Sequence, residues 1–309
     1  MTPPTPQAVL AAAFPEVSVQ SVTTPSEGNR KQTAVVDLED GRTVVVQQST
    51  DAEALRTETR VARAIASRTT IPVPAVLDVG RIDGRGYCVV EYADGENLHE
   101  RFASLPPDRR AHIARRFGHA LAEVHEAFTF EGFGAVGAES GTLRANGPDA
   151  YEPWLVGHGE AGVRALPAAF ADLESPLLEA IREGPVRDSP QPRLYPWDLR
   201  PGNALVAAGE LVAVLDWGEP LAATAGLSVA KTEHLVADWY VDDPTRLRAA
   251  FREGYSSVRP LPEPTRRERL IAVLRSAVDA DGEVTRPGYP ERTGDDAVAF
   301  HRNRLEALL

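Results

Sequence analysis

Between positions 17 and 49 apolar and polar residues alternate, and the alternation breaks at Pro25-Ser26-Glu27-Gly28-Asn29 and at Glu39-Asp40-Gly41. A period of two with turn-forming interruptions predicts three consecutive antiparallel strands, preceded by a short helix over 6–14. The period then changes. Over 51–67, Leu55, Glu58, Ala62 and Ile65 fall on one face of a helix, so a carboxylate shares an apolar stripe and needs a partner there. Ile71-Pro72-Val73-Pro74 opens an extended run through 76–79, and a turn at 82–86 leads into an apolar strand over 87–92. Together these segments predict a five-stranded antiparallel sheet with one long helix.

After Ala93-Asp94-Gly95 the pattern becomes helical. Helices are expected over 96–104, 107–127 (with Ile113, Phe117, Leu121 and Val124 as its core stripe), 151–181, 223–240, 243–254, 263–278 and 295–309. A glycine-rich loop is expected over 128–147. One hairpin interrupts this run: Ala204 to Val206 and Leu211 to Leu215 flank Ala207-Ala208-Gly209-Glu210. The chain therefore reads as α+β in two parts. Residues 1–92 form a small sheet lobe, and 93–309 form a larger lobe that is helical apart from that hairpin.

The hairpin carries the chemistry. Asp216 ends an apolar strand, where a carboxylate is costly to bury without a cation. Asn203 adds a neutral oxygen just before the hairpin, and the two make a hard-ligand pair suited to Mg²⁺ with phosphate oxygens completing the shell. Asp198 precedes Asn203 by five residues, on a loop that Pro201 and Gly202 keep irregular. One free carboxylate beside a metal pair is the layout with which phosphoryl transfer orients a hydroxyl.

In its Asp198-Leu199-Arg200-Pro201-Gly202-Asn203 loop, hairpin and Asp216-Trp217-Gly218, the segment 194–218 resembles the catalytic and metal-binding loops of the aminoglycoside phosphotransferase and choline kinase group. That resemblance covers roughly 18–239 and implies a two-lobed protein-kinase-like fold, with ATP or GTP and Mg²⁺ in the cleft and a small hydroxylated acceptor over the larger lobe. It implies Asp198 as the group that accepts the hydroxyl proton, and Asn203 and Asp216 as metal ligands. Gly28 and Asn29 match the phosphate-approaching turn, and the backbone of Glu91 and Tyr92 matches the hinge that holds a purine. Two departures stand out. Pro196-Trp197 replaces the His-Gly that commonly precedes the catalytic aspartate, and Gln47 stands where the third strand usually ends in a phosphate-binding lysine. Gln47 can donate a hydrogen bond but carries no charge. Lys31, on the preceding strand, is the lysine near enough in sequence to substitute. Glu58, which pairs with the strand lysine in the family, could meet Lys31, hydrogen-bond Gln47 or hold a metal-bound water. Gln47 also keeps open a second reading of another class, a catalytically weak or inactive nucleotide-binding or ligand-sensing module (a pseudokinase).

Composition narrows the remaining choices. The 309 residues are 43% hydrophobic and 25% charged, ordinary globular values, with a net charge of −12. That acidity argues against nucleic-acid or anionic-membrane partners. No apolar run of about 18 residues exists, and the N-terminal segment lacks the basic and apolar regions of a secretory signal, so a cytoplasmic monomer or homodimer is expected. Cys88 is the single cysteine, which excludes an internal disulfide and a cysteine-based metal cluster. Of 33 basic residues only Lys31 and Lys231 are lysines. The acidic helices after Trp217 would permit an aminoglycoside acceptor, while sugars and amino alcohols remain open.

Overall fold

The computed structural model describes residues 3–24, 31–139, 141–185, 190–286 and 291–309; Gly28 and Asn29 lie outside them. Helix α1 (Pro6–Ala13) starts where the Thr5 hydroxyl accepts from the Ala8 amide. Strands β1 (Val19–Thr23), β2 (Gln32–Leu38) and β3 (Thr43–Ser49) follow, then α2 (Ala52–Arg68), β4 (Val76–Ile82) and β5 (Arg85–Glu91). The five strands make one antiparallel sheet in the order β1-β2-β3-β5-β4. Alternation decides what each face does. Val36, Val46 and Val89 point to one side and bury themselves against Val9 and Leu10 of α1. Thr33, Gln47 and Cys88 are cross-strand neighbours on the opposite side, where α2 packs. The N-terminus of α2 is fixed by Asp51, whose carboxylate accepts from the Glu53 and Ala54 amides.

The larger lobe begins with the two-residue strand β6 (Glu96–Asn97) and the short helix α3 (Leu98–Arg101), followed by α4 (Pro107–Ala127). Phe117, Leu121 and Val124 of α4 are fully buried, in one cluster with Phe251 and Tyr255 of α8 (Thr245–Ser256). The two helices meet at glycines: a Cβ on Gly118 would lie 1.9 Å from the Phe251 carbonyl oxygen, and one on Gly254 2.0 Å from that of Arg115. His125, at the end of α4, is buried and hydrogen-bonds Tyr255 through Nδ1 at 2.7 Å, a packing role.

The remainder is not helical apart from one hairpin. Residues 128–147, expected as a loop, contain the hairpin β7 (Gly134–Glu139) and β8 (Thr142–Ala145). After α5 (Tyr151–Ala165) and α6 (Glu174–Glu183) comes β9 (Pro192–Tyr195), and β12 (Leu221–Thr224) joins β7 to β9 in a four-stranded sheet ordered β8-β7-β12-β9. Leu166-Pro167 divides the helix expected over 151–181, because proline cannot donate to the helical ladder. Between β9 and β12 lies the expected hairpin, β10 (Ala204–Ala207) and β11 (Glu210–Val214), turned by Ala208 and Gly209, both at positive φ. Helix α7 (Ala225–Glu233) continues into a π-helical turn at His234–Asp238. Helix α9 (Arg266–Leu274), a small hairpin of β13 (Thr285–Arg286) with β14 (Arg292–Thr293), and α10 (Gly294–Glu306) complete the chain. Among the described residues no helix is long and apolar enough to cross a membrane.

Candidate active site

Asp198, Asn203 and Asp216 come together because the β10–β11 hairpin returns the chain to its starting point. The Leu215 amide donates to the Asn203 carbonyl at 2.8 Å, which sets Asp216 beside Asn203. The Asn203 side-chain amide donates to the Asp198 carbonyl (2.9 Å) and carboxylate (3.1 Å), and Arg200 Nε donates to the same carboxylate oxygen at 2.9 Å. The second Asp198 oxygen has no part in these contacts. Burial alone would raise the Asp198 carboxyl, but the charges of Arg200 and Lys231, with the hydrogen bonds from Arg200 and Asn203, hold it below the usual carboxylate range. Asp198 is therefore ionised at neutral pH. Asp216 sits at φ 58°, a left-handed conformation rare outside glycine, and local strain of this kind collects at functional sites.

Lys31 reaches the same place from the small lobe. It precedes β2, on the face that carries Thr33 and the cross-strand Gln47. Its Nζ lies 2.6 Å from Glu58 Oε1 of α2 and 3.2 Å from Asp216 Oδ1. Burial opposes the charge on this amine, yet Glu58 and Asp216 outweigh it and raise Lys31 above its ordinary value. Glu58 does not mirror that shift; burial, with Asp216 adding to it, outweighs the amine and keeps its carboxyl above the usual value. The apolar stripe of α2 thus finds its partner in Lys31. Gln47 lies close by, its Oε1 accepting from the Cys88 thiol at 3.6 Å. Burial pushes that thiol up to about 12, so Cys88 is an inert thiol of the packed sheet.

At the end of β5, the expected hinge, the Glu91 amide already donates to the Ala75 carbonyl at 2.9 Å. Tyr92 is 45% exposed. A cavity of about 520 Å³ lined by Asp94, Gly95, Glu96, Arg101 and Ala207 to Gly209 lies at the hairpin tip and includes none of the cleft residues.

The donor set fits a hard divalent cation. The Lys31 contact uses Asp216 Oδ1, so Oδ2 remains available, and the hydrogen bonds of the Asn203 amide nitrogen leave its carbonyl oxygen as an acceptor. Among the described residues no group of three or more His, Cys, Asp or Glu side chains could hold a metal by itself. A cation here would need substrate oxygens and water, as Mg²⁺ on phosphates does.

Around Asp198 stand groups that sequence reasoning did not assign. Lys231 Nζ lies 3.2 Å from the centroid of the Trp197 ring, with Arg275 at 5.0 Å. The guanidinium of Arg200 lies 5.5 Å from the Trp239 ring, and Tyr240 hydrogen-bonds Arg200. The one signal that pointed toward Lys231 was the scarcity of lysine.

The fold is two-lobed and kinase-like. The model of the phosphotransferase enzyme family matches residues 21–270, and the chain belongs to that family. A comparison with curated proteins finds no match. Among solved structures, the aminoglycoside phosphotransferase APH(4)-Ia is 20% identical, with 97% of this chain and 96% of that chain covered at a TM-score of 0.68. A thermostable variant of the same enzyme, solved as a ternary complex with AMP-PNP and hygromycin B, is 19% identical, with 98% and 97% covered at 0.68. A protein from Thermobifida fusca YX-ER1 assigned as a fructosamine-3-kinase is 22% identical, with 97% and 99% covered at 0.60.

Proposed function

We propose that the protein is an ATP-dependent phosphotransferase that moves the γ-phosphoryl group to a hydroxyl of a small molecule. Residues 1–92 serve as its nucleotide-binding lobe and 93–309 as its catalytic and acceptor-binding lobe. The observation that carries this reading is the Lys31 amine, set between Glu58 and Asp216. It supplies, from the neighbouring strand, the cation that Gln47 lacks. The pseudokinase reading rested on that missing charge, and with the chain in the phosphotransferase family it is not favoured.

Lys31 would contact the α and β phosphates, with Glu58 holding its amine in place. Asn203 and Asp216 would hold Mg²⁺, which when bound neutralises charge on the transferring group. The ionised Asp198 would orient the acceptor hydroxyl and take its proton. The acceptor oxygen forms a bond to the γ-phosphorus while the bond to the β-γ bridging oxygen breaks, and ADP leaves with that electron pair. Arg200 would hold Asp198 in place through its Nε hydrogen bond. Since the Glu91 amide is engaged, its carbonyl and the Tyr92 backbone are the groups left for a purine. The neighbouring complex with AMP-PNP and hygromycin B supports a nucleotide and a hydroxylated acceptor sharing this fold.

Calorimetry of ATP with and without Mg²⁺ tests the reading. Asp216→Ala is expected to abolish the Mg²⁺-dependent part of the affinity; equal affinity in variant and parent in Mg²⁺ would remove Asp216 from the site.

A further inference from the structure

Trp197, directly before Asp198, is the centre of a second cluster. Lys231 and Arg275 both stand against its ring, at 3.2 and 5.0 Å. His158 meets it edge-on at 6.0 Å, and Tyr195 lies at 6.1 Å. Lys231, only 2% exposed, donates to the Arg275 carbonyl at 3.3 Å. Among the described residues neither Lys231 nor Arg275 forms an ion pair with a carboxylate. Arg275 Nε, His158 Nε2 and Tyr195 Oη are buried with no hydrogen-bond partner. A purely structural cluster would pair these groups directly, because a buried cation without an ion-paired carboxylate and buried polar atoms without partners are both costly.

The charges facing Lys231 are Asp198 and Glu219, which favour its protonated form, and Arg275 and Arg200, which oppose it; burial outweighs them and pushes the amine down to about 7. Arg275 is likewise lowered by burial, which outweighs the opposing effects of Tyr195 and Glu219. Arg275 and Trp197 are half-buried, so the cluster reaches solvent through them. The carboxylates that could recruit a polycationic acceptor from the neighbouring helical segments are already engaged. Glu233 accepts from Arg252 at 2.5 Å and Arg269 at 3.3 Å, and Asp238 from His234 at 3.1 Å and Arg248 at 2.8 Å.

We infer that the acceptor is a hydroxylated anion whose carboxylate or phosphate is held by Arg275 and Lys231 beside Asp198. The inference rests on the phosphotransferase reading and names its substrate class. Asp198 and Glu219 face these cations without forming an ion pair with either; the anion supplies the direct contact, through charge-assisted hydrogen bonds from Arg275 Nε and the Lys231 amine. Arg200, paired with Asp198, keeps the ionised base from repelling it. An aminated acceptor would instead place a third cation in the cluster.

The test uses the full chain saturated with AMP-PNP and Mg²⁺, titrated by calorimetry with glycerol, glycerate and glycerol 3-phosphate, and with glucose, gluconate and glucosamine. At least one acid is expected to bind about ten- to a hundred-fold more tightly than its neutral partner, the span of one charged hydrogen bond. The glycerate and glycerol 3-phosphate arms separate carboxylate from phosphate. Arg275→Gln should remove that advantage, and so should Lys231→Met. With only two lysines, ¹⁵N-lysine labelling gives two side-chain signals, and the acid should move the one lost in Lys231→Met. Tighter binding of glucosamine than of gluconate, no binding by any acid, or an acid advantage that survives both substitutions would overturn the inference. Affinity for AMP-PNP alone, measured on the same samples, reports on the phosphotransferase reading separately.

Discussion

Asp198 is held by three neighbours with different consequences. Arg200 and Asn203 fix one carboxylate oxygen and leave the other outside these contacts. Asp198→Asn keeps the shape and removes the proton acceptor, so turnover should fall at least about 100-fold, the usual scale for such a group, while ATP still binds. Steady-state kinetics with any accepted hydroxyl compound decides it, and unchanged turnover would remove Asp198 from the role. Lys231 gives a second, opposite prediction. Its amine titrates near 7 in the folded chain against 10.5 in the unfolded one, so between those values the unfolded state binds more protons and stability rises with pH. Below pH 7 the folded state carries the full cost of the buried charge. Lys231→Met should therefore melt higher than the parent at pH 6, with the advantage shrinking toward pH 10. A variant that melts lower at pH 6 would show the charge to be stabilising. A functional residue is where stability of this kind is commonly given up.

At the scale of elements, α4 and α8 depend on missing side chains. The Cβ of an alanine at position 118 would lie 1.9 Å from a backbone oxygen of α8, and backbone cannot rotate aside. Gly118→Ala should cost about 1–3 kcal/mol or more, as overpacking does; a melting midpoint within a degree of the parent would show that the helices slide apart freely. The extents of the elements were legible to very different degrees. α4 and the five strands of the small sheet follow a sustained period, with alternating or helical apolar positions over many residues. From sequence the β7–β8 hairpin reads as loop because Gly134, Gly137 and Gly141 dilute its alternation, and β12 is four residues of Leu221-Ala222-Ala223-Thr224 that match a helix equally well. Short strands of this kind are defined by their partners across the sheet, which local periodicity does not contain. Asp198, Asn203 and Asp216 could be found because they share one contiguous segment. The cluster on Trp197 draws on positions 158, 195, 231 and 275, which only the fold brings together.

At the scale of the whole molecule, Lys31 joins the two lobes: it and Glu58 belong to the small sheet and its helix, and Asp216 to the hairpin of the larger lobe. The phosphate cation and the metal ligands would then be brought into register by one contact, between segments 185 residues apart in sequence. Register explains how the lysine could move without loss of geometry. Gln47 lies opposite Thr33 of β2, two residues after Lys31, and adjacent strands are about 4.8 Å apart. A lysine side chain spans that gap, so an amine from either strand can occupy the same space. A charged contact to phosphate contributes about 1.5–3 kcal/mol net, so Lys31→Met should weaken ATP binding roughly ten- to a hundred-fold. Adding Gln47→Lys to that variant should recover part of the loss, since the new amine starts one strand away and Glu58 remains as its partner. Calorimetry on the parent, the single variant and the pair measures both steps. Unaltered affinity in Lys31→Met would show that the cation is not used, and a loss that Gln47→Lys leaves untouched would show that the contact depends on Lys31 itself, beyond the presence of an amine at the cleft.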